Sequence, residues 1–110
     1  MRAYLIDEIT VSDLDKMKDF LEKNAIRSSL DRLFWVQIPD ALLSAAQRAH
    51  PQCRPHVFSV ELGSDWIKFE CFVRSLKHMR CDCPGYTTTE QMRYVVDFAH
   101  RMVEQLGIRS

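Results

Sequence analysis

The clearest hydrophobic pattern lies towards the C-terminal end of the chain. Apolar residues recur there at helical spacing and form one continuous stripe, which comprises Met92, Val95, Val96, Ala99, Met102, Val103 and Leu106. Thr87 with Glu90, or Thr88 with Gln91, can form a capping box ahead of this stripe. We therefore predict a helix over residues 88–106.

Two earlier segments have shorter helical stripes. Ser12 is a suitable N-cap, and the stripe that follows it comprises Leu14, Met17 and Leu21. This pattern predicts a helix over residues 12–25. A further stripe of Leu42, Leu43, Ala46 and Ala49 predicts a helix over residues 40–50. That helix ends before Pro51, because the residue that precedes a proline disfavours the helical conformation.

Two segments in the N-terminal part of the chain have the composition of strands. Residues 3–9 combine β-branched and aromatic side chains and are followed by polar residues. Residues 33–38 are almost continuously apolar, which is typical of a strand that is buried on both faces. Pro39 ends this second predicted strand.

A β-hairpin is predicted over 57–62/65–73. Both segments alternate between apolar and polar side chains, as expected for half-buried strands. Gly63-Ser64 between them suits a two-residue type II′ turn. That turn places Val60 opposite Ile67 and keeps one face of the hairpin apolar, because side chains alternate with a period of two residues.

The predicted elements follow the order β-α-β-α-β-β-α. A strand–helix–strand unit followed by a hairpin favours a small mixed sheet with the helices mainly on one face, which is an α+β fold. A length of 110 residues is typical of one domain. We therefore interpret residues 1–110 as a single globular domain.

Composition and charge restrict the class of protein. Hydrophobic residues make up 46% of the chain and charged residues 27%, which is typical of a folded protein and not of a disordered one. Lys and Arg total 15, and Asp and Glu also total 15, so the net charge is zero. This balance argues against a dedicated binder of nucleic acids or acidic membranes, which usually carries a positive excess. The three glycines are too dispersed for a glycine-rich phosphate loop.

The N-terminal segment predicts no targeting signal. Asp7 and Glu8 interrupt its apolar run, so it lacks the core of a signal peptide. No apolar stretch extends over the roughly 18 residues that a membrane span needs. We therefore expect a cytoplasmic protein, in which the four cysteines are reduced.

The densest group of potential metal ligands lies in one short segment. His78, Cys81 and Cys83 are residue types that bind zinc. A closed zinc site usually takes four ligands, and the candidates for the fourth are Cys53, His50 and His56. Zinc sites usually have two to four residues between paired cysteines, whereas one residue separates this pair. We expect no cofactor, and zinc binding by His78, Cys81, Cys83 and Cys53 is the alternative.

The same cysteines allow a redox interpretation. Lys77 and Arg80 would favour the thiolate of a nearby cysteine. A disulfide between Cys81 and Cys83 would close a small strained ring, and strained disulfides are readily reduced. Redox motifs usually have two residues between the cysteines rather than one. The sequence contains no complete catalytic constellation, which favours a protein that is not an enzyme.

Aromatic residues outside the predicted core faces indicate an interaction surface. The candidate residues are Trp66, Phe72, Tyr94 and Phe98. The leading hypothesis is a non-catalytic binding or self-association module, whose partner is a second copy of the chain or another protein or peptide. An RNA-contacting face on the hairpin, formed by its aromatic residues and Lys68, is a further alternative.

Overall fold

The structure is a computed structural model that describes residues 2–77 and 84–108. Within these ranges the chain combines helices with a seven-stranded antiparallel sheet, which confirms the predicted α+β class. The strands are β1 Ala3–Ile6, β2 Ile26–Arg27, β3 Leu33–Gln37, β4 His56–Leu62, β5 Ile67–Glu70, β6 Phe72–Ser75 and β7 Gly85–Tyr86. The helices are α1 Val11–Asn24, α2 Ala45–Arg48 and α3 Thr89–Leu106, with short 3-10 helices at Asp40–Leu42 and Pro51–Cys53.

The strands follow the order β1-β5-β4-β3-β2, while β6 pairs with β4 and β7. Every described strand pair is antiparallel, so the predicted mixed sheet is wrong. The predicted strand–helix–strand unit corresponds to β1, α1 and β3, but β1 and β3 run in opposite directions and do not pair, because β5 and β4 lie between them. The strand β2, which follows α1 directly, lies at the opposite edge of the sheet from β1. The helix α1 therefore carries the chain from one edge of the sheet to the other.

Two of the predicted helices agree with the structure to within one residue at each end. The helix α3 corresponds to the prediction over 88–106, and α1 corresponds to the prediction over 12–25. In α3, the Thr88 side chain accepts a hydrogen bond from the Gln91 amide, and the Gln91 side chain accepts one from the Thr88 amide. The helix α1 begins one residue earlier than predicted because Thr10, rather than the predicted serine, is its N-cap.

The helix predicted over 40–50 is not continuous. A 3-10 helix covers Asp40–Leu42, and α2 is only four residues long. Leu43 between them has an extended backbone, and Ser44 begins α2 as its N-cap by accepting a hydrogen bond from the Gln47 amide. The apolar stripe alone could not show this break, because capping by a serine restarts a helix without changing the hydrophobic pattern.

The hairpin formed by β4 and β5 exists, but its predicted register is wrong by two residues. Val60 lies opposite Phe69 and not opposite Ile67. A shift of two residues preserves the faces, so the same side chains still point into the core. The shift arises because the turn extends to Trp66, whose carbonyl accepts a hydrogen bond of 2.7 Å from the Gly63 amide.

Trp66 and Arg32 stabilise this longer turn. The Trp66 ring lies so close to Gly63 that a Cβ atom on residue 63 would approach a ring carbon to 1.9 Å. Arg32 donates hydrogen bonds to the carbonyls of Leu62, at 3.1 Å, and of Gly63, at 2.9 Å. The length of the turn therefore depends on contacts with a residue that is distant in the sequence.

Cys71 divides the second predicted strand of the hairpin into β5 and β6. Its amide donates a hydrogen bond of 3.0 Å to the Arg2 carbonyl, and its carbonyl accepts one of 3.3 Å from the Thr87 amide. Arg2 precedes β1, and Thr87 follows β7. The strands β1 and β7 therefore lie end to end along one border of the sheet and meet at Cys71.

The helices α1 and α3 pack on one face of the sheet and contact each other. The strand residues that they cover include Phe34, Val36, Phe58, Val60, Ile67 and Phe69. The residues that alternate with these point to the opposite face, which we call the outer face and define by Leu5, Trp35, Ser59, Glu61, Lys68, Glu70 and Arg74. The two long helices leave the outer face uncovered.

Candidate functional site

The four aromatic residues of the predicted interaction surface lie on opposite sides of the sheet. Tyr94 and Phe98 pack against the core from α3, and the Phe98 ring centroid lies 5.8 Å from that of Phe58. Trp66 and Phe72 lie on the side of the outer face, next to Lys68 and Arg74. The structure therefore does not place these four residues on one surface.

Three of the predicted zinc ligands, His78, Cys81 and Cys83, lie outside the described residues. Cys53 is buried, and its carbonyl accepts a hydrogen bond from the Ser75 hydroxyl. One residue further along the chain, the Leu76 amide donates a hydrogen bond of 3.2 Å to the Pro55 carbonyl. The strand that leads towards residue 78 thus ends next to the loop that contains Cys53.

The described part of the chain holds no group of three His, Cys, Asp or Glu side chains that could bind a metal ion. His56 is buried at the start of β4. Burial lowers the pKa of His56 below its ordinary value of 6.5, and the positive charge of Arg54 acts in the same direction. A neutral imidazole is the form that this environment stabilises.

Cys71 does not have the environment of a reactive thiol. It is buried in the core cluster, and burial raises the pKa of its thiol. Because the thiolate is the reactive form of cysteine, a raised pKa lowers its reactivity at neutral pH. The structural position of Cys71 is explained by packing and by its backbone hydrogen bonds to the two border strands.

The outer face contains a groove of about 240 Å³ in which a carboxylate is buried. Glu70 is 5% exposed and forms a two-point ion pair with Arg74, with Nε–Oε1 and Nη2–Oε2 distances of 3.0 and 3.1 Å. The Ser59 hydroxyl donates a further hydrogen bond of 3.4 Å to Oε1 of this carboxylate. The charges of Glu70 and Arg74 are therefore satisfied within the chain.

Three cations of the chain lie over aromatic rings on this side of the sheet. Arg2 lies 4.5 Å from the ring centroid of Tyr86, and the corresponding distances are 4.8 Å for Arg74 over Phe72 and 5.8 Å for Lys68 over Trp66. Lys68 is also paired with Glu61 at 3.3 Å. Pairing of Lys68 and Arg74 with carboxylates lowers the positive potential that phosphate binding would need.

The strand β1 lies at a border of the sheet, and some of its backbone amides and carbonyls point away from its neighbour β5. The Cys71 amide donates a hydrogen bond to the Arg2 carbonyl, so the backbone groups of Arg2 point towards β5. Successive residues of an antiparallel strand direct their backbone groups to alternate sides, so those of Tyr4 and Ile6 also point towards β5. The amides and carbonyls of Ala3 and Leu5 therefore point away from β5, and no described strand pairs with β1 on that side.

The side chains of β1 do not protect this border. The strand sequence Ala-Tyr-Leu-Ile contains no proline and no charged residue, which are the features that commonly prevent strand addition at an edge. The Leu5 side chain is 54% exposed on the outer face. The opposite edge, β2, is only two residues long and offers a much shorter site for pairing.

Opposite charges flank the two ends of β1. Arg2 precedes the strand, and Asp7 and Glu8 follow it. A pocket of about 350 Å³ lies at the acidic end, and its lining consists of Leu5, Asp7, Glu8, Asp65, Trp66 and Lys68. The border therefore combines unpaired backbone groups, an exposed leucine and a pocket with acidic side chains.

Sequence reasoning predicted a strand over residues 3–9 but not its position at the border. Strand order depends on long-range pairing and leaves no local pattern in the sequence. The reversal of charge between Arg2 and Asp7 was the one signal that the sequence offered for this site.

None of the described helices is long and apolar enough to cross a membrane. The chain matches no protein-family model, and comparisons with curated proteins and with solved structures give no match. A functional interpretation therefore depends on the geometry of the chain itself.

Proposed function

We propose that this protein is a non-catalytic protein-binding module that accepts an extended segment of a partner as an additional strand on β1. The observation that supports this function is the orientation of Ala3 and Leu5, whose backbone amides and carbonyls point away from β5. Strand addition at an exposed edge is a common mode of peptide recognition, in which main-chain hydrogen bonds provide affinity. Each such hydrogen bond contributes about 1 kcal/mol.

The pocket at the end of β1 gives this edge a preference among partner strands. Leu5 and Trp66 form its apolar part, and Asp7, Glu8 and Asp65 surround it with negative charge. Pockets for alternate side chains provide the specificity of strand addition. We expect a partner strand with apolar residues along its length and a basic residue near the acidic end of β1.

A selection from short random peptides displayed on phage tests this function. The immobilised full chain should enrich peptides that are rich in β-forming apolar residues and contain a basic residue. Leu5→Lys introduces a charge at the middle of the border, which opposes strand addition. Enriched peptides should therefore lose at least tenfold in affinity for the L5K variant.

Met92→Lys is the matched control, because Met92 is also an exposed apolar residue, at 38%, but lies on α3. This variant should bind the selected peptides with unchanged affinity. The proposal is wrong if no peptide is enriched, or if the enriched peptides bind the L5K variant as tightly as the original chain.

A further inference from the structure

We infer that the strand added to β1 is β1 of a second copy of this chain, in antiparallel orientation. This inference rests on the proposed function, because it identifies the partner of the same edge. The chain itself contains a strand of the expected kind, since Ala3–Ile6 is apolar and is preceded by the basic residue Arg2. Its net charge is zero, so two copies do not repel each other through their overall charge.

The hydrogen-bonding pattern of β1 favours one register. A two-fold axis through Tyr4 places Ala3 of each copy opposite Leu5 of the other. In this register all the backbone groups that point away from β5 find partners, because Ala3 and Leu5 are the residues with outward-directed amides and carbonyls. Residues opposite each other then also share a face, so the outer faces of the two copies lie on the same side.

The charges that flank β1 become complementary in this arrangement. The antiparallel orientation brings Arg2 of each copy opposite Ile6 of the other, and hence next to its Asp7. The two-fold axis produces this contact twice. The arrangement also brings the exposed Leu5 side chain of each copy next to Ala3 of the other on the outer face.

The expected dimer is weak and depends on concentration. Its contact consists mainly of one pair of four-residue strands, which is smaller than the standard interface of roughly 1,200–2,000 Å². Sedimentation velocity of the full chain, from micromolar to near-millimolar concentration, should therefore show a mass that rises from monomer to dimer. Hydrogen exchange of the Ala3 and Leu5 amides should slow over the same concentration range.

Charge-reversal variants test the orientation of the two copies. Arg2→Glu places a negative charge next to Asp7 of the second copy, and Asp7→Arg places a positive charge next to its Arg2. Each variant alone should remain monomeric at concentrations at which the original chain is dimeric. An equimolar mixture of the two variants should form a heterodimer, because the contact between residues 2 and 7 is then attractive on both sides.

Tyr86→Ser separates this effect from the contact of Arg2 with the Tyr86 ring. The variant removes the ring but keeps the charge of Arg2, and it should dimerise like the original chain. Circular dichroism should show that the charge-reversal variants keep their secondary structure. If a variant fails to fold, the double variant R2E/D7R, which restores opposite charges, replaces it and should dimerise.

The outcomes separate this inference from the proposed function. A chain that remains monomeric at near-millimolar concentration overturns the inference, whereas peptide binding that is sensitive to the L5K substitution would still support the proposed function. Dimerisation that survives both L5K and R2E also overturns the inference, because the contact then lies elsewhere. Failure of both the dimer and the peptide selection overturns both proposals.

Discussion

The side-chain amides of Gln91 and Gln47 meet in the interior, where Nε2 of Gln91 donates a hydrogen bond of 2.9 Å to Oε1 of Gln47. Both residues are buried, and Gln91 Nε2 donates a second hydrogen bond of 2.9 Å to the Leu42 carbonyl. Gln91 also completes the capping box of α3 with Thr88. One side chain thus links the start of the longest helix to the segment between β3 and β4.

Replacing Gln91 by Leu should lower the free energy of unfolding by about 2–4 kcal/mol. Leucine removes part of the capping box and takes a hydrogen-bond donor from the side-chain oxygen of the buried Gln47 and from the carbonyl of the partly buried Leu42, and such losses cost about 1–3 kcal/mol for each group left unsatisfied. Urea denaturation followed by circular dichroism measures the change. Thr88→Val is the control for the cap alone and should cost only about 1 kcal/mol. Equal losses in the two variants would contradict a role for the Gln47 and Leu42 contacts.

Replacing Arg74 by Met should destabilise the protein by about 1–2 kcal/mol, because it leaves the buried Glu70 carboxylate without its cation. The cost stays below that of a fully buried pair, since the Arg74 side chain is 45% exposed. Lys68→Met is the matched control at the more exposed pair with Glu61 and should cost less than about 1 kcal/mol. Denaturant titration of both variants checks the order of these two effects.

Protonation of His56 should destabilise the fold in mildly acidic solution. Burial lowers the pKa of His56 in the folded chain, whereas the unfolded chain binds the proton near the ordinary value of 6.5. The unfolded state therefore holds more protons between these two pKa values, and stability is lost as the pH falls below about 6.5. The loss is at most about 1.4 kcal/mol for each pH unit.

Chemical denaturation at about pH 7.5 and about pH 5.5 measures this dependence. His56→Asn removes the titrating group, so the difference in stability between the two conditions should become smaller. His100→Asn is the control on the exposed surface of α3. An equal reduction in both variants would show that His56 is not the group responsible.

Substituting Gly63 by Ala should destabilise the β4–β5 turn by about 1–3 kcal/mol, since the added Cβ would approach the Trp66 ring to 1.9 Å. Displacement of this ring should also change the tryptophan fluorescence of the folded protein. In a Trp66→Ala background the same substitution should cost much less, because the ring that opposes the Cβ is absent. Equal costs in both backgrounds would locate the strain elsewhere.

Zinc binding by His78, Cys81, Cys83 and Cys53 remains a prediction of the sequence. It requires stoichiometric zinc in protein purified without a chelator, and a loss of stability when a chelator removes the metal. Elemental analysis together with thermal denaturation, with and without chelator, measures both. Cys53→Ser should then lower the zinc content, whereas Cys71→Ser should not. Strand addition at β1 requires no metal, so a metal-free chain would leave that proposal unaffected.

Local signals predicted the elements whose stabilising contacts are local. The helix α3 was found with nearly correct ends because its apolar stripe and its cap at Thr88 lie within its own sequence. The hairpin register was missed because Trp66, which the prediction assigned to the second strand, belongs to the turn, and because Arg32, which lies outside both alternating segments, also holds the turn. The position of β1 at a border was not predictable for the same reason, since it results from pairing with a strand that lies far along the chain.

The division of the border at Cys71 has a mechanical consequence for any strand that docks there. The strands β1 and β7 are separate, and Cys71 forms hydrogen bonds with Arg2 and Thr87 at their adjoining ends. A docked strand longer than β1 would therefore pair with both strands and would connect β1 to the segment that precedes α3. Occupancy of the edge would then stiffen a region far from the four residues that it touches first.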